Sequence, residues 1–143
     1  MNSGSGMENF SLLPEGCTSH ILSLTSPGDV CRSSAISHGF KSAAESDTIW
    51  ERFLPSDYQQ IISRSVSPVV TTTKKDLYFR LSNSPILLDG GKLSFSLEKE
   101  TGKKCYMLPA RELIISWGDT PYYWKWTSHL DSRFSEVAEL LSV

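Results

Sequence analysis

The sequence predicts an α+β protein with helices first and an antiparallel β region after. Three observations carry this. In the first half, apolar residues recur at three- and four-residue steps between capping signals. In the second half, they alternate strictly between glycine turns. Between the two lies a Ser/Thr/Pro-rich stretch, Ser63 to Thr73, whose Ser67-Pro68 and three consecutive threonines favour extended backbone.

The first helix is expected after Leu13, with Pro14 in its first turn, where a missing N–H costs nothing. Cys17, Ile21 and Leu24 form its apolar stripe. Ser26 is set to cap a second helix, with Pro27 in the first turn and Asp29 at the capping-box position. Val30, Ala35, Ile36 and Phe40 carry that helix towards His38-Gly39. Ser46-Asp47 caps a third, running to Leu54 with Ile49, Trp50 and Phe53 on one side, and Pro55 stops it. Ser56-Asp57 opens one more through Tyr58, Ile61 and Ile62. In the second half, Asp89-Gly90-Gly91 joins a strand at Pro85-Ile86-Leu87-Leu88 to the alternating Leu93, Phe95, Leu97. Thr101-Gly102-Lys103 turns again before a strand at Cys105–Leu108, and Leu113–Trp117 is expected to be another. An aromatic cluster, Tyr122 to Trp126, and an apolar run, Val137 to Val143, complete the chain given.

The 143 residues carry 14 Lys+Arg against 16 Asp+Glu, a net charge of −2. That balance lacks the cationic surplus that coats nucleic acid, so no nucleic-acid partner is expected. No apolar run reaches the ~18–20 residues that span a bilayer, and the first ten residues lack a basic and an apolar signal region. The expectation is therefore a protein of the cytoplasm or nucleus, with no membrane partner and a flexible segment at 1–10. Cys17, Cys31 and Cys105 show no metal-type spacing, so they are expected to be buried free thiols, with no metal and no cofactor. His20, His38 and His129 stand far apart, outside any triad order, and no catalytic residue is expected. The Asp89-Gly90-Gly91 turn lacks the Gly-Lys-Ser/Thr of a phosphate loop.

The segment Leu13 to Pro55 resembles an F-box: Leu13-Pro14, Ile21-Leu22, Pro27 with Asp29-Val30, Phe40 and Trp50 fall where that family places them. The resemblance implies docking onto a Skp-type adaptor, and through it onto a cullin, by Leu13, Pro14, Ile21, Leu22 and Pro27. An apolar start on so small a helical unit fits half of an interface, although the same residues also fit internal packing. From Lys74 onward the chain resembles the F-box branch of the plant phloem protein 2 family, down to its Ser-Arg-Phe-x-Glu-Val-Ala-Glu-Leu run at Ser132 to Leu140. This implies residues 11–56 as F-box, 57–73 as helix and linker, and 74–143 as the start of a lectin β-sandwich, expected to be incomplete.

The resemblance further implies a non-catalytic receptor subunit of a ubiquitin ligase, whose unknown target is a protein that can be glycosylated. The rival reading is a carbohydrate-binding module for N-acetylglucosamine-type glycans. Lectin members associate sugar binding with positions matching Trp117 and Trp124. The turn Gly118–Pro121 lets both indoles flank one groove, with Asp119 accepting hydroxyl hydrogen bonds. Core packing of Trp117, Trp124 and Trp126 is the competing expectation.

Overall fold

The computed structural model of the chain describes residues 14–36 and 38–141. Leu13, the 1–10 segment and Ser142-Val143 lie outside the described residues. Helix α1 (Glu15–Ser23) follows Pro14, whose carbonyl accepts the N–H groups of Cys17 at 2.9 Å and Thr18 at 3.1 Å. Ser26 caps α2 (Pro27–Ser33) in a complete capping box with Asp29, and Pro27 occupies its first turn. Phe40 belongs to a separate helix, α3 (His38–Ala44), and does not extend α2. Helix α4 spans Asp47–Phe53 and α5 Tyr58–Ser63. Neither Ser46 nor Asp57 caps through its side chain. The Asp47 carboxylate instead accepts the Lys74 N–H at 2.9 Å.

A helix α6 (Lys74–Asn83) stands where the second half was expected to be strands only. Thr73 caps it, accepting the Asp76 N–H at 3.0 Å, and Leu77, Tyr78 and Leu81 face inward. Strands β1 (Ile86–Leu88), β2 (Leu93–Leu97) and β3 (Lys104–Met107) then form one antiparallel sheet in that order. Ile86 pairs with Phe95 and Leu88 with Leu93 across the Asp89-Gly90-Gly91 turn, all three of whose residues have positive φ. Strands β4 (Trp124–Thr127) and β5 (Val137–Leu140) make a separate two-stranded sheet. Leu113–Trp117, expected as a strand, is turn and irregular backbone. Its apolar residues are exposed or half-buried, and no neighbouring strand supplies the ladder that would hold them extended.

A continuous core runs from Leu22 to Leu97, and the 57–73 helix and linker contribute Tyr58, Ile61 and the half-buried Ile62 and Val69 to it. Trp50 is its centre: fully buried, it donates its indole N–H to the Ala44 carbonyl at 2.6 Å. Its rings lie 5.1 Å from Tyr78 and 5.5 Å from both Phe53 and Phe79. The helices of the first half thus close on α6 and the first hairpin. The turn between β2 and β3 ties the two parts together. Its Glu100 carbonyl accepts the Gly28 N–H at 3.2 Å, and the Tyr78 hydroxyl donates to the carbonyls of Glu98 and Lys99. Burial pushes the Tyr78 phenol well above its ordinary pKa, so it stays a donor.

Among the described residues, none after Leu97 belongs to this core, and β3 is exposed along its whole length. The three thiols are exposed, contrary to expectation: Cys17 lies on the outer face of α1, Cys31 on α2 and Cys105 on β3.

Candidate functional site

Helix α1 turns its Thr18–Leu22 edge inward, one helical turn apart, and Leu22 is 1% exposed. The stripe the sequence singled out as apolar is therefore the outward one. Pro14, Cys17, Ile21 and Leu24 follow at steps of three, four and three, and all are exposed, Ile21 to 44% and Leu24 to 68%. Such spacing places them along one face. An apolar ridge left open beside a well-filled core is the mark of a surface awaiting a partner.

Of the residues suggested for the adaptor contact, Pro14 and Ile21 lie on this ridge and Leu13 is outside the described residues. Leu22 and Pro27 are buried. Leu22 follows Thr18 by one turn on the inner edge, and Pro27 sits in the first turn of α2 beside the Glu100 turn. Sequence reasoning missed Cys17 and Leu24 as surface residues. Their signal was the stripe they share with Ile21, whose period places all three on one face.

The aromatic segment forms a second site. Between Ile115 and Trp124 the chain doubles back through bonds of 2.9 Å from Gly118 N–H to the Ile115 carbonyl and from Thr120 N–H to the Trp117 carbonyl. Trp124 and Trp126, two apart on β4, share a face. Their indole N–H groups reach back to the carbonyls of Ser116 at 3.1 Å and Gly118 at 2.8 Å. A groove of about 290 Å³ opens beside them, lined by Asp119, Pro121, Trp124, Trp126 and Leu141.

Asp119 also borders a groove of about 240 Å³ on the side of Arg111 and Ile114. The Arg111 guanidinium lies 3.7 Å from the Trp126 ring centroid and is held by Glu136 at 2.9 Å. Each partner shifts the other: Arg111 holds the Glu136 carboxyl below its ordinary pKa, and Glu136 raises that of Arg111.

The expected pairing of Trp117 with Trp124 is thus rearranged. Trp117, 72% exposed, stacks on Tyr123 with ring centroids 5.6 Å apart and does not line the groove. Trp126 takes its place. The spacing of Trp124 and Trp126 on one strand face was the signal that pointed to it. None of these indoles belongs to the core. Among the described residues, no cluster of His, Cys, Asp or Glu is placed to hold a metal. No helix among them is long and apolar enough to cross a membrane.

Both sites coincide with family matches. The F-box domain profile matches residues 10–52, which contain the α1 ridge, and the Phloem protein 2 profile matches residues 103–143, which contain the groove. The putative F-box protein PP2-B12 of Arabidopsis thaliana is 52% identical over 135 residues, 94% of this chain and 53% of that protein. Over nearly its whole length the chain is thus similar to the F-box branch of the phloem protein 2 family. Within that family, the putative F-box protein PP2-B2 of Arabidopsis thaliana is 48% identical over 140 residues, 97% of this chain and 44% of its own length. The F-box protein PP2-B1 of the same plant is 47% identical over 134 residues, 94% of this chain and 39% of its own length. The chain spans about half the length of the curated phloem protein 2 relatives it matches. No solved structure matches it.

Proposed function

We propose that this chain is a substrate-receptor subunit of a Skp–cullin–F-box ubiquitin ligase, docking a Skp-type adaptor through the α1 ridge. The observation that carries this reading is the open apolar face Pro14, Cys17, Ile21 and Leu24 within the segment matching an F-box. The chain performs no chemistry in this role. It contributes proximity, holding a target's lysine near the ligase's charged conjugating enzyme. Its place of work is the cytoplasm or nucleus, where such ligases assemble.

The test is calorimetric titration of a Skp-type adaptor into the double variant Pro14→Ala, Ile21→Ala. Both side chains are exposed, so helix content stays unchanged. Apolar anchors contribute ~1–3 kcal/mol each at an interface, so affinity falls at least about tenfold. A folded double variant that binds as the parent does would sink the assignment.

A second reading rests on the Trp124–Trp126 groove: a surface for N-acetylglucosamine-type glycans, which would make the target a glycoprotein. Indole faces suit the apolar side of a pyranose, and Asp119 can accept its hydroxyl hydrogen bonds. The groove is shallow, so affinity for chitin oligomers should be about millimolar, ~4 kcal/mol. Tryptophan fluorescence during chitotriose titration checks this, and an unchanged response in Trp124→Ala would remove the groove from consideration.

A further inference from the structure

Four positions in the chain place a hydroxyl residue before proline: Ser26-Pro27, Ser67-Pro68, Ser84-Pro85 and Thr120-Pro121. The fold treats them very differently. The Ser26 hydroxyl is consumed by the capping box, accepting the Asp29 N–H at 3.2 Å and donating to its carboxylate at 2.9 Å, and Pro27 is buried. Ser84 and Pro85 are exposed, but the backbone of Ser84 is pinned between the end of α6 and the start of β1, its N–H on the Arg80 carbonyl and its own carbonyl accepting from the Arg80 guanidinium. Thr120 is knotted into a turn. Its N–H bonds to Trp117, and its carbonyl accepts from both Tyr123 and Trp124 at 3.1 Å.

Ser67 alone is free to be threaded elsewhere. Residues 66–73 form neither helix nor strand, and Val66, Ser67, Pro68 and Val70 are all exposed, Val70 to 87%. Among the described residues the Ser67 hydroxyl has no hydrogen-bond partner, and its carbonyl merely accepts the Ser65 hydroxyl at 2.7 Å. The last firm anchor before it is the Val66 N–H on the Leu87 carbonyl at 2.8 Å, and after it the half-buried Val69 packs against the core ahead of the Thr73 cap of α6. The loop is thus held at both ends with its acceptor outward. A protein kinase binds its substrate as extended backbone, and a following proline presents no N–H that would have to be desolvated in the enzyme's cleft.

We propose that Ser67 is a phosphorylation site for a proline-directed protein kinase, and that the fold excludes the other three hydroxyl–proline positions. The Ser67 Oγ attacks the γ-phosphorus of the nucleoside triphosphate held by that kinase. The new O–P bond forms as the β–γ bridging P–O bond breaks, its electron pair leaving with the nucleoside diphosphate, and the hydroxyl proton passes to the kinase's base. The product carries close to two negative charges three residues beyond Arg64, whose guanidinium holds Asp89 at the β1–β2 turn.

The experiment incubates the folded full chain with ATP and a purified proline-directed kinase, and maps phosphate by tandem mass spectrometry. Three synthetic peptides covering Ser26, Ser84 and Thr120 serve as unfolded references. The expected result is one phosphate per chain, on Ser67, with an initial rate at least about tenfold above the other three positions. It should be lost in Ser67→Ala and strongly reduced in Pro68→Ala, while the reference peptides react. Absence of phosphate at Ser67 in the folded chain overturns the proposal. So does comparable labelling at Ser26, Ser84 or Thr120, or a Pro68→Ala chain labelled as fast as the parent.

Discussion

Gly102 has φ of +73°, and a Cβ there would come within 3.1 Å of the Phe53 carbonyl and 3.5 Å of the Tyr78 ring. Both neighbours are held, the one as backbone and the other by its place in the core, so neither can yield cheaply. Gly28 looks worse on distance alone, because a Cβ would lie 1.9 Å from the Glu100 carboxylate. Yet that atom is the far end of a flexible, exposed side chain whose ion pair with Arg32 is solvent-screened. Gly28 also sits in a helix, where alanine is favoured. Gly102→Ala should therefore destabilise by about 1–2 kcal/mol, the cost of a left-handed non-glycine residue, while Gly28→Ala is close to neutral. Urea unfolding of the two variants separates them, and equal midpoints would refute the argument.

The β2–β3 turn is the element that responds to acid. The Glu98 carboxylate accepts N–H bonds from Thr101 at 2.8 Å and Glu100 at 3.2 Å and a further bond from the Thr101 hydroxyl. The Thr101 hydroxyl, then these backbone donors, hold the Glu98 carboxyl below its ordinary pKa of 4.5. A depressed folded pKa means stability that is complete above the unfolded value and lost as pH falls through the folded one. Amide exchange at Glu100 and Thr101, relative to the core helices, should accelerate below about pH 4.5. Glu98→Gln should flatten that dependence, and an unchanged profile in the variant would discount the carboxylate.

Elements differ in how plainly the sequence wrote them. The first hairpin was legible because Asp-Gly-Gly and the alternation of Leu93, Phe95 and Leu97 state the same register twice. Helix α6 was not, since Lys74, Lys75, Asp76 and Arg80 dilute an apolar edge of Leu77, Tyr78 and Leu81. For α1, period was readable and direction was not. With an apolar outer stripe and a threonine on the inner edge, hydrophobicity alone points the helix the wrong way.

Across the whole molecule, burial is lopsided. Residues 22–97 share one core, whereas β4 and β5 hold each other by their ladder and a surface of half-buried aromatics. Local opening should follow that gradient. Amides of Trp124–Thr127 and Val137–Leu140 are expected to exchange at a lower free energy than those of Lys74–Asn83. Equal protection by native-state hydrogen exchange would contradict it. The aromatic site shares this history: its residues were recognisable by type and spacing, but which indoles meet depends on the 115–124 turns, and turn geometry does not show in composition.

That the core closes only at Leu97 has a consequence for how the chain is made. A ribosome releases the amino end first. When residue 52, the end of the F-box match, has emerged, Trp50 still lacks Tyr78 and Phe79, and the inner edge of α1 faces a half-built interior. At ordinary elongation rates the wait for β2 is on the order of seconds. For that interval the nascent helices offer two apolar faces, the temporary one that α6 and the hairpin will cover and the lasting ridge of Ile21 and Leu24. A binding partner or chaperone that arrives early meets both, and only completion of the sheet tells it which one to keep.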